Sequence, residues 1–124
     1  MDTNLTGGDF AHCALITIDL QNDTLPGQPM EVPGTKEIIP QVSALLAAFR
    51  IKKLPVVHLV RIYRPDGKNV DLCRRQQVLN GKQLFIAGTH GAELIPQLLN
   101  EELSLDTSML LNGAAQYINP HEII

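Results

Sequence analysis

Residues 13–23 read CALITIDLQND, a nearly continuous apolar run that ends in a carboxylate and a short polar stretch. A run without polar alternation is typical of a strand buried on both faces, as in a parallel sheet. Asp19 falls at the carboxyl end of this strand, where open α/β sheets gather their sites. Two interpretations are equally good from position alone: a proton-handling group, or a carboxylate that accepts hydrogen bonds from loop N–H groups.

Two further patterns extend this strand into a βαβ unit. After a loop over residues 22–34, a helix that Thr35 can cap is predicted by apolar residues at steps of three and four. These residues are Ile38, Val42, Leu45, Leu46 and Phe49. Residues 55–63 predict a second strand. A strand, a helix and a strand with a long crossover predict that the two strands are parallel.

The signals beyond residue 63 are weaker. Asn69 can cap a short helix through Leu79, with Gly81 as its stop. Residues 88–91 turn into another short helix, whose apolar side is formed by Leu94, Ile95, Leu98 and Leu99. Residues 100–124 have no clean period, although the last four begin like a strand. The chain is therefore expected to be α/β, with the amino-terminal part of a doubly wound, mainly parallel sheet.

The composition favours one globular domain and excludes several classes of partner. The chain has 124 residues, of which 44% are apolar and 19% charged, with a formal net charge of −3. No basic footprint for nucleic acid is present, and no apolar run approaches membrane-spanning length. The two cysteines, Cys13 and Cys73, make neither a disulfide framework nor a clustered metal site, so a reduced, cytoplasmic protein is expected.

Three segments, in this order, carry a family resemblance. They are DLQND at residues 19–23, PVVH at 55–58 and GTHGAEL at 88–94. Over residues 13–99 the chain resembles the isochorismatase-like cysteine hydrolases. The resemblance implies a Rossmann-like, three-layer α/β fold and a hydrolase that acts on an amide or related C–N or C–O bond of a small molecule. No cofactor is expected.

The family uses an Asp–Lys–Cys triad, in which the resemblance makes Asp19 the acid/base member. The lysine and the cysteine have no counterpart here, because the chain ends at Ile124, about where the lysine-bearing strand is expected to begin. Cys13 lies six residues before Asp19 on the same strand, about 20 Å away. Cys73 lacks a strand-to-helix turn, so both thiols are expected to be ordinary buried or half-buried groups. We therefore expect residues 1–124 to form a single, incomplete domain that is inactive alone; the alternative is an inactive remnant or interaction module retaining the scaffold.

The second strand supplies the candidate substrate-binding residues, Arg61 and Tyr63. Relatives place a substrate-contacting side chain near Arg61, so an anionic substrate group is possible; a surface arginine with a turn tyrosine is the open alternative. His58 is expected to be a core or sheet-face histidine. A metal site is disfavoured, because residues 61–67 lack the Asp-x-His pattern of metal-binding relatives. A truncated sheet leaves an unpaired edge, so a homo-oligomer or a complementary chain is expected alongside the small-molecule substrate.

Overall fold

The computed structural model of the chain describes residues 7–99 and 105–124. Four strands form one sheet in the order β1-β2-β4-β3. The strands are β1 (Leu15–Ile18), β2 (Val56–Leu59), β3 (Tyr117–Asn119) and β4 (Glu122–Ile123), and the α-helices are α1 (Thr35–Ile51), α2 (Leu72–Leu79) and α3 (Thr107–Leu111). β1, β2 and β4 are parallel, whereas β3 is antiparallel to β4. This confirms an α/β fold with a mainly parallel sheet.

β1 is shorter than the apolar run that predicts it, and only one of its faces is covered. It pairs in parallel with β2, with Ile18 opposite Leu59, as the βαβ pattern predicts. Thr17 is buried towards α1, but Ile16 and Ile18 on the other face are 56% and 64% exposed. The expectation of burial on both faces is therefore wrong for the described residues, because α1 covers only the face that carries Thr17.

α1 lies where the spacing predicts it, with two differences in detail. The N-cap residue of α1 is Gly34, which has a φ of 92°. Thr35 is instead the first helical residue, and its hydroxyl donates to the carbonyl of Val32 at 2.9 Å. Of the predicted stripe, Leu46 is fully buried. Ile38 and Leu45 are exposed, and the apolar residues that pack inward with Leu46 are Ile39, Val42 and Phe49.

The helix predicted from Asn69 begins three residues later. Asp71 precedes α2 at the N-cap, and the Asn69 side chain accepts from the N–H of Arg64 and donates to the carbonyl of Ile62. Gly81 follows the helix with a φ of 92°, as expected of a stop.

Between residues 88 and 99, all of which are described, the chain forms no α-helix. Two 3₁₀ turns, His90–Ala92 and Pro96–Leu98, take its place, because Leu94 forms an antiparallel bridge with Gln21 that requires extended backbone. The predicted apolar residues are nevertheless inside, since Leu94, Ile95 and Leu98 are buried and Leu99 packs partly buried beside them.

The end of the chain adds the third parallel strand. The last four residues contain β4, which confirms the predicted strand, while residues 100–104 of the stretch without a clean period lie outside the described residues. Across residues 7–99 and 105–124, no helix has the length and apolar character needed to cross a bilayer.

Candidate active site

Asp19 follows β1 directly and turns the chain away from the sheet. Its φ of 55° lies in the left-handed region, where aspartate is one of the few non-glycine residues found regularly. The turn is held by its N–H, which donates to the carbonyl of Leu59 at 2.9 Å. The side chain is 38% exposed at the carboxyl edge of the sheet. The structure thus places Asp19 where the sequence predicts it.

Arg61 brings several polar side chains together beside Asp19. Its Nε lies 3.8 Å from Asp19 Oδ2. Its Nη1 donates to the Tyr63 hydroxyl at 3.0 Å and to Asp71 Oδ2 at 2.5 Å. That carboxylate oxygen also accepts from the Tyr63 hydroxyl at 2.7 Å and from Arg74 Nη1 at 3.0 Å. Asp71 therefore holds the guanidinium of Arg61 in place next to Asp19.

Hydrogen bonding within this cluster favours the charged forms of its ion-pairing members. The hydrogen bond from Tyr63, followed by the attraction of Arg61 and Arg74, lowers the pKa of Asp71 despite partial desolvation. The hydrogen bond with Tyr63 raises the pKa of Arg61. Burial and the hydrogen bond to Asp71 raise the pKa of Tyr63. With these pKa shifts, at neutral pH the Tyr63 phenol is neutral and the Arg61 guanidinium and the Asp71 carboxylate are charged.

A cavity of about 310 Å³ opens at this edge of the sheet. Its polar lining consists of Asp19, Thr24, Thr35, Arg61 and Arg74. Its apolar lining consists of Ile18, Leu20, Met30, Val32, Ile38 and Phe85. Tyr63, only 3% exposed, lies behind Arg61 and is not part of this lining. Apolar walls with a few convergent charged groups suit a small molecule.

Another cavity of similar size has a different character. It has a volume of about 340 Å³ and is lined mainly by apolar side chains and backbone, among them Leu59, Ile62 and Leu110. His58 is its one titratable lining residue, and both ring nitrogens of His58 already have partners. The edge cavity, which holds Asp19, is therefore the better candidate for chemistry.

Gln21 connects the two strand ends to a distant segment from a fully buried position. Its Nε2 donates to the carbonyls of Arg61 at 2.8 Å and Ala92 at 2.7 Å, and its Oε1 accepts from the N–H of Arg61 at 2.9 Å. A buried side-chain amide is stable only when such partners are present. Gln21 therefore fixes the backbone of Arg61, and so contributes to the position of the guanidinium beside Asp19.

Asn22 and Asp23 complete this junction. Asn22 Nδ2 donates to the carbonyl of His90 at 2.9 Å, and buried Asp23 Oδ2 accepts from the N–H of Phe85 at 2.7 Å. The Asp23 carboxylate lies directly against Gly91, so that a Cβ at this glycine would overlap it. The segments DLQND and GTHGAEL thus interlock, which is a physical reason for their occurring together.

A second charged cluster lies buried between α1 and the sheet. Arg50 Nε and Nη2 donate to the two carboxylate oxygens of Glu122, at 2.9 and 2.6 Å. His58 lies 2.7 Å from Glu122 Oε1 through Nε2 and 2.6 Å from the Thr17 hydroxyl through Nδ1. Neutral His58 with its proton on Nε2 satisfies both contacts. Asn119 also donates to Glu122, at 2.9 Å.

The pKa shifts of His58 and Glu122 agree with a structural role for this cluster. Burial lowers the pKa of His58 and outweighs the opposing hydrogen bond to Glu122. For Glu122, burial acts to raise the pKa, but the hydrogen bonds from Arg50 and His58 prevail and lower it. The cluster joins α1, β1, β2 and β4 as an ionised carboxylate with a neutral imidazole. His58 is thus a sheet-face histidine, as expected.

Neither thiol lies in the cavity lining. Cys13 is half-buried and its Sγ donates to the carbonyl of Phe10 at 3.5 Å, whereas Cys73 is exposed on α2. The expectation that Cys73 is buried or half-buried is wrong, because Cys73 lies on the solvent-exposed side of α2. Among the described residues, no group of three or more histidines, cysteines, aspartates or glutamates could hold a metal ion.

Sequence patterns do not identify two residues of the polar cluster beside Asp19. Asp71 and Arg74 carry no motif, but their i, i+3 spacing at the start of a helix predicts an ion pair. What the spacing does not show is that this helix begins beside the end of β2. Asp19 and Arg61 come together as the parallel pairing predicts, and their roles stay predictions.

Comparisons with known proteins agree with this architecture. A family model for the isochorismatase domain matches residues 13–106. A probable inactive nicotinamidase of Arabidopsis thaliana is 38% identical over 96 residues, which are 75% of this chain and 49% of that protein. N-carbamoylsarcosine amidase of an Arthrobacter species is 44% identical over 52 residues, 41% of this chain and 20% of that protein.

A solved structure shows the same relation. The isochorismatase family protein from Desulfovibrio vulgaris is 40% identical, with a TM-score of 0.67 over 72% of this chain and 47% of that chain. The chain spans about half the length of this structure and of the Arabidopsis relative. Since the isochorismatase domain matches most of its residues, the chain belongs to the isochorismatase family.

Proposed function

We propose that this chain forms part of a hydrolase for small amides, in which Asp19 transfers the proton. The supporting observation is geometric. Asp19 leaves β1 in a left-handed conformation and lines the edge cavity with Arg61 3.8 Å away. A partly exposed carboxylate at the mouth of a small cavity can both accept and return a proton, as a general base must.

The chemistry of the proposed site follows the family pattern. Asp19 accepts the proton of a cysteine thiol, the thiolate adds to the amide carbon, and the proton leaves with the amine; water then cleaves the resulting thioester, which releases the acid and restores the thiol. A lysine offsets the developing negative charge. Neither Cys13 nor Cys73 lines the cavity, and its lining includes no lysine. We therefore place both partners outside residues 1–124.

The substrate side of the proposed site is Arg61 with Tyr63. Arg61 lines the cavity and is proposed to contact the substrate. Tyr63 is buried and hydrogen-bonded to Arg61, which favours an indirect contribution through the guanidinium. One relative is named as an N-carbamoylsarcosine amidase and another as a probable inactive nicotinamidase, which favours an amide over other C–N or C–O bonds.

A second candidate function is a catalytically inactive scaffold that associates with a second copy or a complementary chain. One relative is itself described as a probable inactive nicotinamidase. β1 forms an edge of the sheet, and Ile16, Ile18 and Leu59 are exposed on its uncovered face. Such a surface favours association. Sedimentation velocity that shows only monomer would contradict this part of the proposal.

The test of the hydrolase compares aspartate variants. Ammonia release from a panel of small amides is measured for residues 1–124 together with the chain or segment that supplies the cysteine and the lysine, and for the same protein with Asp19→Asn or with the control Asp9→Asn, which alters an exposed carboxylate. We expect Asp19→Asn to lower kcat/KM by about 100-fold or more, because asparagine cannot take up the proton. Turnover that survives Asp19→Asn overturns the role of Asp19. No turnover by this complete protein without a substitution favours the inactive scaffold.

A further inference from the structure

The charged residues that line the edge cavity are two arginines and one aspartate: Arg61, Arg74 and Asp19. We propose that Arg74, together with Arg61, binds a carboxylate of the ligand, so that the substrate class is small amides that also carry a carboxylate. The assignment of an amide rests on the proposed function. The carboxylate preference rests on the cavity itself and concerns binding alone.

The two guanidinium groups retain unused hydrogen-bond donors. Arg74 donates through Nη1 to Asp71 Oδ2 at 3.0 Å, and the same Nη1 lies 3.8 Å from Cys73 Sγ. Arg61 donates through Nη1, and its Nε lies 3.8 Å from Asp19, too far for a hydrogen bond. A guanidinium has five N–H donors, so several on each arginine make no hydrogen bond to the described residues.

Asp71 positions the arginines as a pair. One of its oxygens accepts from both guanidinium groups, so it holds two cations close together with a single negative charge between them. Asp71 itself lies outside the cavity lining, so the charged groups that face the cavity are the two guanidinium groups and Asp19, and with Asp71 the four charges balance. When Asp19 takes up a proton, one net positive charge remains. A carboxylate ligand would offset it, and its planar group matches the guanidinium fork.

The exposure of the pair suits reversible binding. The side chains of Arg61 and Arg74 are 37% and 35% exposed, open enough for a ligand to reach but partly shielded from water. Partial shielding strengthens a charge-assisted hydrogen bond relative to the same contact on an open surface. Apolar residues of the same lining, such as Met30 and Phe85, can pack against the hydrocarbon part of the ligand.

Two ligands of the same shape test the preference. Glutaramate carries an amide and a carboxylate, and glutaramide replaces that carboxylate with a second, neutral amide. Dissociation constants are measured by NMR titration of the 15N-labelled 124-residue chain. We expect the wild-type chain to bind glutaramate about 10-fold more tightly or better, the range of a charged hydrogen bond. Equal binding of the two ligands overturns the proposal.

Arginine variants assign the preference to a residue. Arg74→Gln is expected to reduce the ratio of the two dissociation constants towards one, and Arg74→Lys to give an intermediate ratio, because lysine keeps the charge but loses the fork. Arg64→Gln is the matched control, since Arg64 pairs with Asp66 and does not line the cavity. An unchanged ratio in Arg74→Lys and Arg74→Gln overturns the assignment; if the glutamine variant does not fold, the lysine variant decides alone.

The same titration separates this proposal from the proposed reaction. Asp19→Asn removes the proton acceptor but leaves both arginines, so glutaramate is still preferred if the binding proposal is correct. Turnover unaffected by Asp19→Asn would overturn the hydrolase mechanism without changing that ratio. Loss of the ratio in Arg74→Gln with intact turnover of neutral amides would confirm binding specificity and leave the reaction intact.

Discussion

The molecule contains two clusters made of the same kinds of side chain, and burial separates their roles. In the first, Glu122 accepts from Arg50 and His58 between α1 and the sheet. In the second, Asp71 accepts from Arg61, Tyr63 and Arg74 at the edge cavity. The Glu122 side chain is 1% exposed and both of its oxygens are engaged, whereas the Asp71 side chain is 44% exposed.

Burial determines which charged groups remain available to a ligand. A buried ion pair must satisfy its own hydrogen bonds, because water cannot reach it. A half-exposed pair can leave donors to solvent and exchange water for a ligand at small cost. Residue type alone does not distinguish the two clusters. Their separation from water does, and this makes the first a structural element and the second a candidate binding site.

Removal of the central carboxylate of each cluster is expected to give the largest difference in stability. Glu122→Ala removes the buried carboxylate that accepts from Arg50 and His58, and we expect the free energy of unfolding to fall by about 3–5 kcal/mol. Such a loss is a large part of the total stability of a small domain. Asp71→Ala should cost far less stability, because water replaces the lost contacts. Urea denaturation of both variants measures the two losses, and equal losses would contradict the distinction.

The close contact between Gly91 and the Asp23 carboxylate should have the next largest effect on the free energy of unfolding. A methyl group at Gly91 would overlap the Asp23 carboxylate, which is held by the N–H of Phe85. We expect Gly91→Ala to lower the free energy of unfolding by about 1–3 kcal/mol, as overpacking does. Gly8→Ala is the control, since its added Cβ would meet only the Phe10 ring at ordinary contact distance.

A double-mutant cycle tests the cause of that loss. In an Asp23→Ala background the carboxylate is gone, so Gly91→Ala should cost much less than in the wild-type chain. The same cost in both backgrounds would show that the glycine is required for another reason. Thermal unfolding followed by circular dichroism measures all four proteins, and the coupling between the two positions is the decisive quantity.

The sequence predicts the βαβ unit because local signals determine it. The apolar run before Asp19, the helical spacing around Leu46 and the second apolar run each fix one element, and short-range rules join them. Pro96 and the extended bridge at Leu94 show where local signals fail. Apolar spacing there predicts a helix, but the hydrogen bonds to Gln21 and its neighbours require extended backbone. Contacts distant in sequence override the local pattern.

The residues of the candidate site also fall into two groups, one predictable from local sequence signals and one not. Asp19 and Arg61 are predictable because parallel pairing places both strand ends at one edge of the sheet. Asp71 and Arg74 are not, since nothing local shows that α2 begins beside that edge. The burial of Glu122 is also unpredictable from the last residues alone, because its partners Arg50 and His58 lie more than sixty residues away.

The smallest expected effect is the change in the free energy of unfolding with pH that arises from protonation of His58 in the buried cluster. Burial lowers the pKa of His58 below its ordinary value of 6.5, so the unfolded chain binds this proton more readily than the folded chain. The contribution of His58 to stability is complete above pH 6.5 and is lost as the pH falls towards the lowered folded-state pKa. The pKa of Glu122 is lowered from 4.5, so its own contribution is lost only at pH values below 4.5.

The window between pH 6.5 and 4.5 therefore isolates His58. The free energy of unfolding should fall there with a slope of at most about 1.4 kcal/mol per pH unit, because one proton is involved. His58→Gln should flatten this slope, and His121→Gln, which alters an exposed histidine, should keep it. Urea denaturation at closely spaced pH values measures the slope. If it persists in His58→Gln, the proton is taken up elsewhere and the buried cluster is insensitive to acid in this range.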